Sequence, residues 1–110
     1  MKVKDYLKQV KKIDTQIKNK GIEAKQLDVI SGELSENVKK EIGRLYSERA
    51  EIIKNIEKLP EAEYDVLYGV YVLYKTLYEI ASDRGISYSN VTTIHGRALK
   101  RLDGIINANT

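Results

Sequence analysis

A chain of 110 residues with one Pro and no Cys fits one domain, or one small domain with an appendage, and excludes disulfides and thiolate chemistry. Hydrophobic content of 42% beside 32% charged residues is an ordinary balance for a protein in water; no apolar run is long enough to cross a bilayer, and none follows Lys2 and Lys4 as a signal peptide would require. The net charge of +3 is unevenly spread: residues 1–59 hold 14 Lys and Arg against 10 Asp and Glu, and residues 60–110 hold 5 against 6.

Val3, Tyr6, Val10, Ile13 and Ile17 recur at steps of three and four, the apolar seam of an amphipathic helix, with Leu7 widening it. Lys18 and Lys20 suit the negative end of such a helix, and Gly21 suits its left-handed terminus, so the spacing predicts an end there. A short helical piece is expected from Ile22 to Ile30, broken by Ser31-Gly32. Ser35 is the candidate cap of a second long helix reaching about Lys58, with Val38, Ile42, Leu45, Ile52, Ile56 and Leu59 on its seam.

Arg49 occupies the one seam position that should be apolar. Either its stem snorkels to the edge of the packing or it sets register or partner choice. Two long amphipathic helices joined by a turn should form an antiparallel hairpin, or offer the seam to a partner chain, which makes a homodimer through residues 3–58 an expected partner. The first helix is rich in lysine, with Lys2, Lys4, Lys8, Lys11, Lys12, Lys18 and Lys20 against Asp5 and Asp14. Solvated charge around a seam explains this, and a second, non-specific DNA contact is the alternative. A membrane surface is disfavoured, because the stripe lacks large aromatic anchors.

Leu59-Pro60 is the clearest joint. Pro favours a first helical turn, and Glu61, Glu63 and Asp65 complement its positive end, so a third helix is expected to about Tyr71. Thr76 and Glu79 match a capping box that opens the next helix. From Leu77 to Leu102 the chain reads as a helix-turn-helix. Ala81 is small where a second helix crosses, Gly85 suits a turn needing positive φ, and Ile86, Val91 and Ile94 fill the wedge. Ser87 can cap a last helix from Tyr88 to about Ile106, and 107–110 reads as a frayed tail. The organisation expected is a helical hairpin over 1–58, a helix-turn-helix domain over 59–106 and the tail.

The run from Leu59 to Leu102 resembles region 4 of bacterial sigma factors without a gap. The matching pieces are Leu59-Pro60-Glu61, Val66-Leu67, Tyr71, Glu79-Ile80-Ala81, Gly85-Ile86-Ser87, Val91 and Ala98-Leu99-Lys100-Arg101-Leu102. The whole chain also resembles small phage- and prophage-encoded proteins with a helical front half and a region 4-like end, through Ile13-Asp14, the Glu-rich second helix and Ile94-His95-Gly96-Arg97-Ala98-Leu99. The fold class implied is all-α: a long, coiled-coil-like hairpin followed by a sigma region 4-like helix-turn-helix. In sigma factors the last helix reads the −35 promoter element. Tyr74 stands in a turn where related proteins commonly have Gly, so that turn is expected to differ.

Carried over by position, the exposed face is Tyr88, Ser89, Asn90, Thr92, Thr93 and Arg97. Periodicity independently turns Val91, Ile94, Ala98 and Leu102 inward and leaves Ser89, Asn90, Thr93, Arg97 and Lys100 outward. Asn suits a bidentate contact to adenine, Arg a guanine or phosphate, and Thr a base edge or thymine methyl. Sigma recognition helices usually carry several Arg or Lys here; small polar residues replace them, which implies another sequence or a weaker grip. No counterpart of sigma region 2 is present, so the chain is not expected to be a complete sigma factor.

His95 has no partner nucleophile, carboxylate or further ligand in the pattern, so a partly buried helix residue or a phosphate contact is expected. The spacing of Tyr64, Tyr68, Tyr71, Tyr74 and Tyr78 reads as packing rather than a base-stacking platform. The resulting expectation is a DNA-binding transcription regulator of phage or prophage type, in the bacterial cytoplasm, with no enzyme activity, cofactor, metal or membrane partner. Its partners would be double-stranded DNA and RNA polymerase. A small terminase-like packaging subunit and a polymerase-binding module without DNA contact stay open beside it.

Overall fold

The computed structural model describes residues 1–108, and those residues are all-α. Five helices follow in order: α1 (Val3–Ile30), α2 (Gly32–Ile56), α3 (Glu61–Tyr71), α4 (Leu77–Arg84) and α5 (Tyr88–Ile106). Asn109 and Thr110, the end of the expected tail, lie outside the described residues.

α1 and α2 form the antiparallel hairpin. Tyr6 meets Asn55 at 2.7 Å, Asp14 meets Arg49 at 2.7 Å, Lys20 meets Glu41 at 2.7 Å, and Ala24 meets Ser35 at 3.2 Å. Those pairings run in opposite chain directions at nearly constant register. The seam residues Leu7, Val10, Ile13, Leu45, Ile52 and Ile56 are buried between the helices. Arg49 is therefore not a free edge residue, and its pairing across the hairpin fits the register reading. Its guanidinium is bound within the chain by Asp14, and both side chains are less than a third exposed.

Two boundaries differ from expectation. α1 continues through Gly21 to Ile30, and Gly21 has no positive φ. A mid-helix Gly costs only ~1 kcal/mol. Continued packing offsets that, with Ala24 buried beyond it and Lys20 drawn across to Glu41 rather than to a helix end. The second correction concerns the cap of α2, which is Ser31 rather than Ser35. Ser31 is the single extended residue between the helices, and its hydroxyl accepts from the Leu34 N–H. Ser35 lies inside α2, fully buried, where its hydroxyl donates to the Ala24 carbonyl. A small side chain that can satisfy its own hydroxyl is what this close crossing near the turn requires.

The hairpin does not stand apart from the C-terminal helices. One buried cluster joins Leu7, Val10 and Ile13 of α1, Leu45, Ile52 and Ile56 of α2, Leu59, Leu67 of α3, Val72, and Ala98 and Leu102 of α5. A second, smaller cluster of Val66, Ile80, Ala81 and Val91 ties α3, α4 and α5 together. At Gly69 an added Cβ would lie 2.8 Å from the Ile80 side chain, so the missing side chain is what lets α4 approach α3.

Candidate nucleic-acid interface

Local chemistry fixes the two helices of the turn. Thr76 caps α4: its hydroxyl accepts from the Glu79 N–H at 3.1 Å, and the Glu79 carboxylate accepts from the Thr76 N–H at 3.2 Å. α4 ends at Gly85, which has φ 67 and ψ 32. The Ile86 N–H reaches back to Ala81 O at 3.1 Å and the Gly85 N–H to Ser82 O at 3.2 Å, the Schellman pattern. A left-handed residue is cheap there only as glycine. Ser87 then caps α5 by accepting from the Asn90 N–H at 3.0 Å. Buried Val91 plugs α5 onto α3 and α4, with Ile86 and Ile94 packed around it.

The turn between α3 and α4 keeps a positive φ but builds it from Tyr74, at φ 60. Left-handed backbone costs a non-glycine residue roughly 1–2 kcal/mol. Contacts from α1 hold it: the Tyr74 hydroxyl donates to Asp14, and Lys11 lies 5.9 Å from the ring centre. Partial burial, then the Asp14 carboxylate, push that hydroxyl up to about 12, so it remains a donor.

With α4 and α5 so held, Tyr88, Ser89, Asn90, Thr92, Thr93, Arg97 and Lys100 are all exposed. Asn90, Thr93 and Arg97 stand at i, i+3 and i+7, one row on the helix. The Thr92 and Thr93 hydroxyls each donate to the carbonyl four residues back, Tyr88 O at 2.9 Å and Ser89 O at 3.0 Å. Their single protons are spent, so toward a base they act as acceptors or offer a methyl. Tyr88 stacks on Tyr78 of α4, ring centres 4.1 Å apart and 12° from parallel.

Tyr78 is 69% exposed and does not share the packing of Tyr64, Tyr68 and Tyr71. The spacing of the tyrosines suggested one role for all of them. What separates Tyr78 is the crossing of α4 and α5, which sequence spacing does not show.

Electrostatically the face is thin. Among described residues 60–108, Arg84 binds Asp65, Lys75 binds Asp83 at 2.7 Å, and Arg101 binds the buried Glu63 at 2.9 Å. Only Arg97 and Lys100 are left without an ion pair.

Residues 55–103 match the family described as Sigma-70, region 4. The C-terminal part of this chain is a sigma region 4-like helix-turn-helix. Domains of that family bind DNA and RNA polymerase. The match starts in the last turn of α2 and leaves the rest of the hairpin outside it. No curated protein and no solved structure matches the chain. No helix among the described residues is long and apolar enough to cross a membrane.

His95 sits on the α1-facing edge of the region 4-like unit. Its Nε2 is 3.0 Å from the Tyr71 hydroxyl and its ring stacks on Tyr71. Burial, then the Lys4 ammonium, lower its pKa from the ordinary histidine value. The unfolded chain therefore takes up this proton at a pH where the folded chain does not, and acidification favours unfolding. The contribution vanishes above about pH 6.5, where both states are neutral, and grows as pH falls below it until the folded ring also protonates. Urea unfolding of wild type and His95→Gln should diverge in pH dependence only in that window, with the variant flatter.

Proposed function

We propose that this protein is a DNA-binding transcription regulator of phage or prophage type, acting in the bacterial cytoplasm, which lays α5 in a major groove. What supports this reading most is the uncommitted row on α5. Asn90, Thr93 and Arg97 are exposed on a region 4-like helix, and among the described residues the Asn90 amide and the Arg97 guanidinium are engaged by no other side chain. That chemistry suits base edges: an amide for adenine, a guanidinium for guanine or phosphate, a hydroxyl oxygen and methyl between them. The weak positive charge of this face predicts modest non-specific affinity, because phosphate neutralisation supplies that component.

The hairpin, in the same reading, serves to dock RNA polymerase. Its far end exposes Ile22, Val29, Ile30 and Leu34, away from α5. The inner seam is filled by the chain itself, which leaves the tip rather than residues 3–58 as a whole for a partner.

The test is a selection of fragments from phage and host genomes bound to purified protein at about 0.1 M salt. A discrete set of fragments sharing a short motif is expected. Recovery of no enriched fragment, with polymerase still captured by the protein, would select the interaction-module reading instead.

A further inference from the structure

A sigma region 4-like unit with two uncommitted cations on its reading helix holds DNA poorly by itself. Each phosphate contact contributes about 0.9 to the slope of log affinity against log salt, so Arg97 and Lys100 supply about 1.8 between them. A second cationic surface lies beside it. Lys4, Lys8 and Lys11 stand at i, i+4 and i+7 on α1, all exposed. None of the three forms an ion pair among the described residues.

The stripe is held against the C-terminal helices rather than pointing away from them. Lys4 is within electrostatic reach of His95 on α5, which is one turn beyond exposed Thr92. Lys8 and Lys11 line a groove with Val70, Tyr71 and Tyr74, and Lys11 sits over the Tyr74 ring. Of the two acids near the stripe on α1, Asp14 is already bound to Arg49 and to Tyr74, and Asp5 forms no ion pair with these lysines among the described residues. Farther out on the hairpin Lys20, Lys39 and Arg44 are each paired to a carboxylate, whereas Lys18, Lys25 and Lys40 form no ion pair among the described residues. Three like charges left unneutralised on one edge repel each other, and an external polyanion relieves that.

We propose that Lys4, Lys8 and Lys11 form a phosphate-binding edge that grips the backbone of the same duplex α5 reads, so that the hairpin is part of the DNA-binding surface. The proposal rests on the reading of α5 as the DNA-contacting helix. It gives the thin charge of residues 60–110 its complement, and it places the +4 balance of residues 1–59 partly beside the groove-facing helix.

The experiment measures affinity for a selected duplex by fluorescence anisotropy from 50 to 200 mM KCl. Five contacts predict that wild type weakens about 500-fold over that range, whereas the Lys4→Gln, Lys8→Gln, Lys11→Gln variant weakens only about tenfold. A charge-matched control, Lys18→Gln, Lys25→Gln, Lys40→Gln, should keep the wild-type slope, because those lysines lie farther out along the hairpin. Circular dichroism melts confirm that each variant folds.

A triple variant with an undiminished slope overturns the proposal while leaving the α5 reading intact, and so does an equal loss in the control. Absence of any wild-type binding to DNA overturns both. Binding to anionic phospholipid vesicles through these lysines, with the DNA slope unchanged, assigns the edge to a membrane surface and likewise overturns it.

Discussion

Shortening Leu7 to alanine should destabilise the whole protein by about 2–5 kcal/mol, although Leu7 lies far in sequence from the helix-turn-helix. Leu7 is fully buried, in the cluster that also contains Leu67 of α3 and Ala98 and Leu102 of α5. Removing it takes away three carbons of buried surface and leaves a cavity walled by three or four helices, which cannot collapse independently. For a chain of this size each kcal/mol lowers the melting temperature by roughly 4–8 °C, so a drop of about 10 °C or more is expected.

Two probes separate cooperative from piecemeal loss. Of the eight tyrosines, only Tyr6 and Tyr46 lie in the hairpin, so near-UV circular dichroism mainly reports residues 64–88, and the far-UV signal reports every helix. The two melts should shift together. A far-UV shift with the tyrosine signal unmoved would mean that the hairpin and the region 4-like unit fold as separate bodies, against the shared core.

Replacing Asn90, Thr93 and Arg97 together with alanine should lower affinity for a selected duplex by about 10²–10⁴-fold without lowering stability by more than about 1 kcal/mol. A good bidentate base contact is worth ~1–3 kcal/mol, and two such contacts plus a methyl or acceptor contact give that range. All three side chains are exposed, and alanine is the better helix former at each position, so the fold loses little. The Asn90 backbone N–H, which donates to Ser87, is retained by the substitution. Competition with unrelated DNA checks the assignment: specific affinity should fall toward the non-specific level, which Lys100 and the α1 edge sustain. Full specific binding after the triple change would remove α5 from the reading role.

The helix-turn-helix was legible because its determinants are local. Thr76 meets Glu79, Gly85 and Ile86 meet carbonyls three and five residues back, and Ser87 meets Asn90. Chemistry confined to four or six residues is visible in the order of residues alone. The same locality misled at Gly21 and Ser35. Each is a good helix terminator or cap by type, and the preference is worth only about 1 kcal/mol, which packing across the hairpin overrides.

The candidate face was legible as a row of exposed residues but not as a surface. Tyr78 meets Tyr88, Lys4 acts on His95, and Tyr74 meets Asp14 sixty residues away, and no period in the sequence encodes those meetings.

The sequence by itself determined the all-α class, the hairpin seam, and the boundaries of α4 and α5, since helical period and end-capping are set by neighbours along the chain. Only the tertiary structure decided that the hairpin and the helix-turn-helix share one core, that Arg49 is bound within the chain, and that Lys4, Lys8 and Lys11 of α1 lie along the C-terminal helices. Those outcomes depend on which faces meet across tens of residues, where buried area and ion pairing outweigh the small local preferences that a sequence displays.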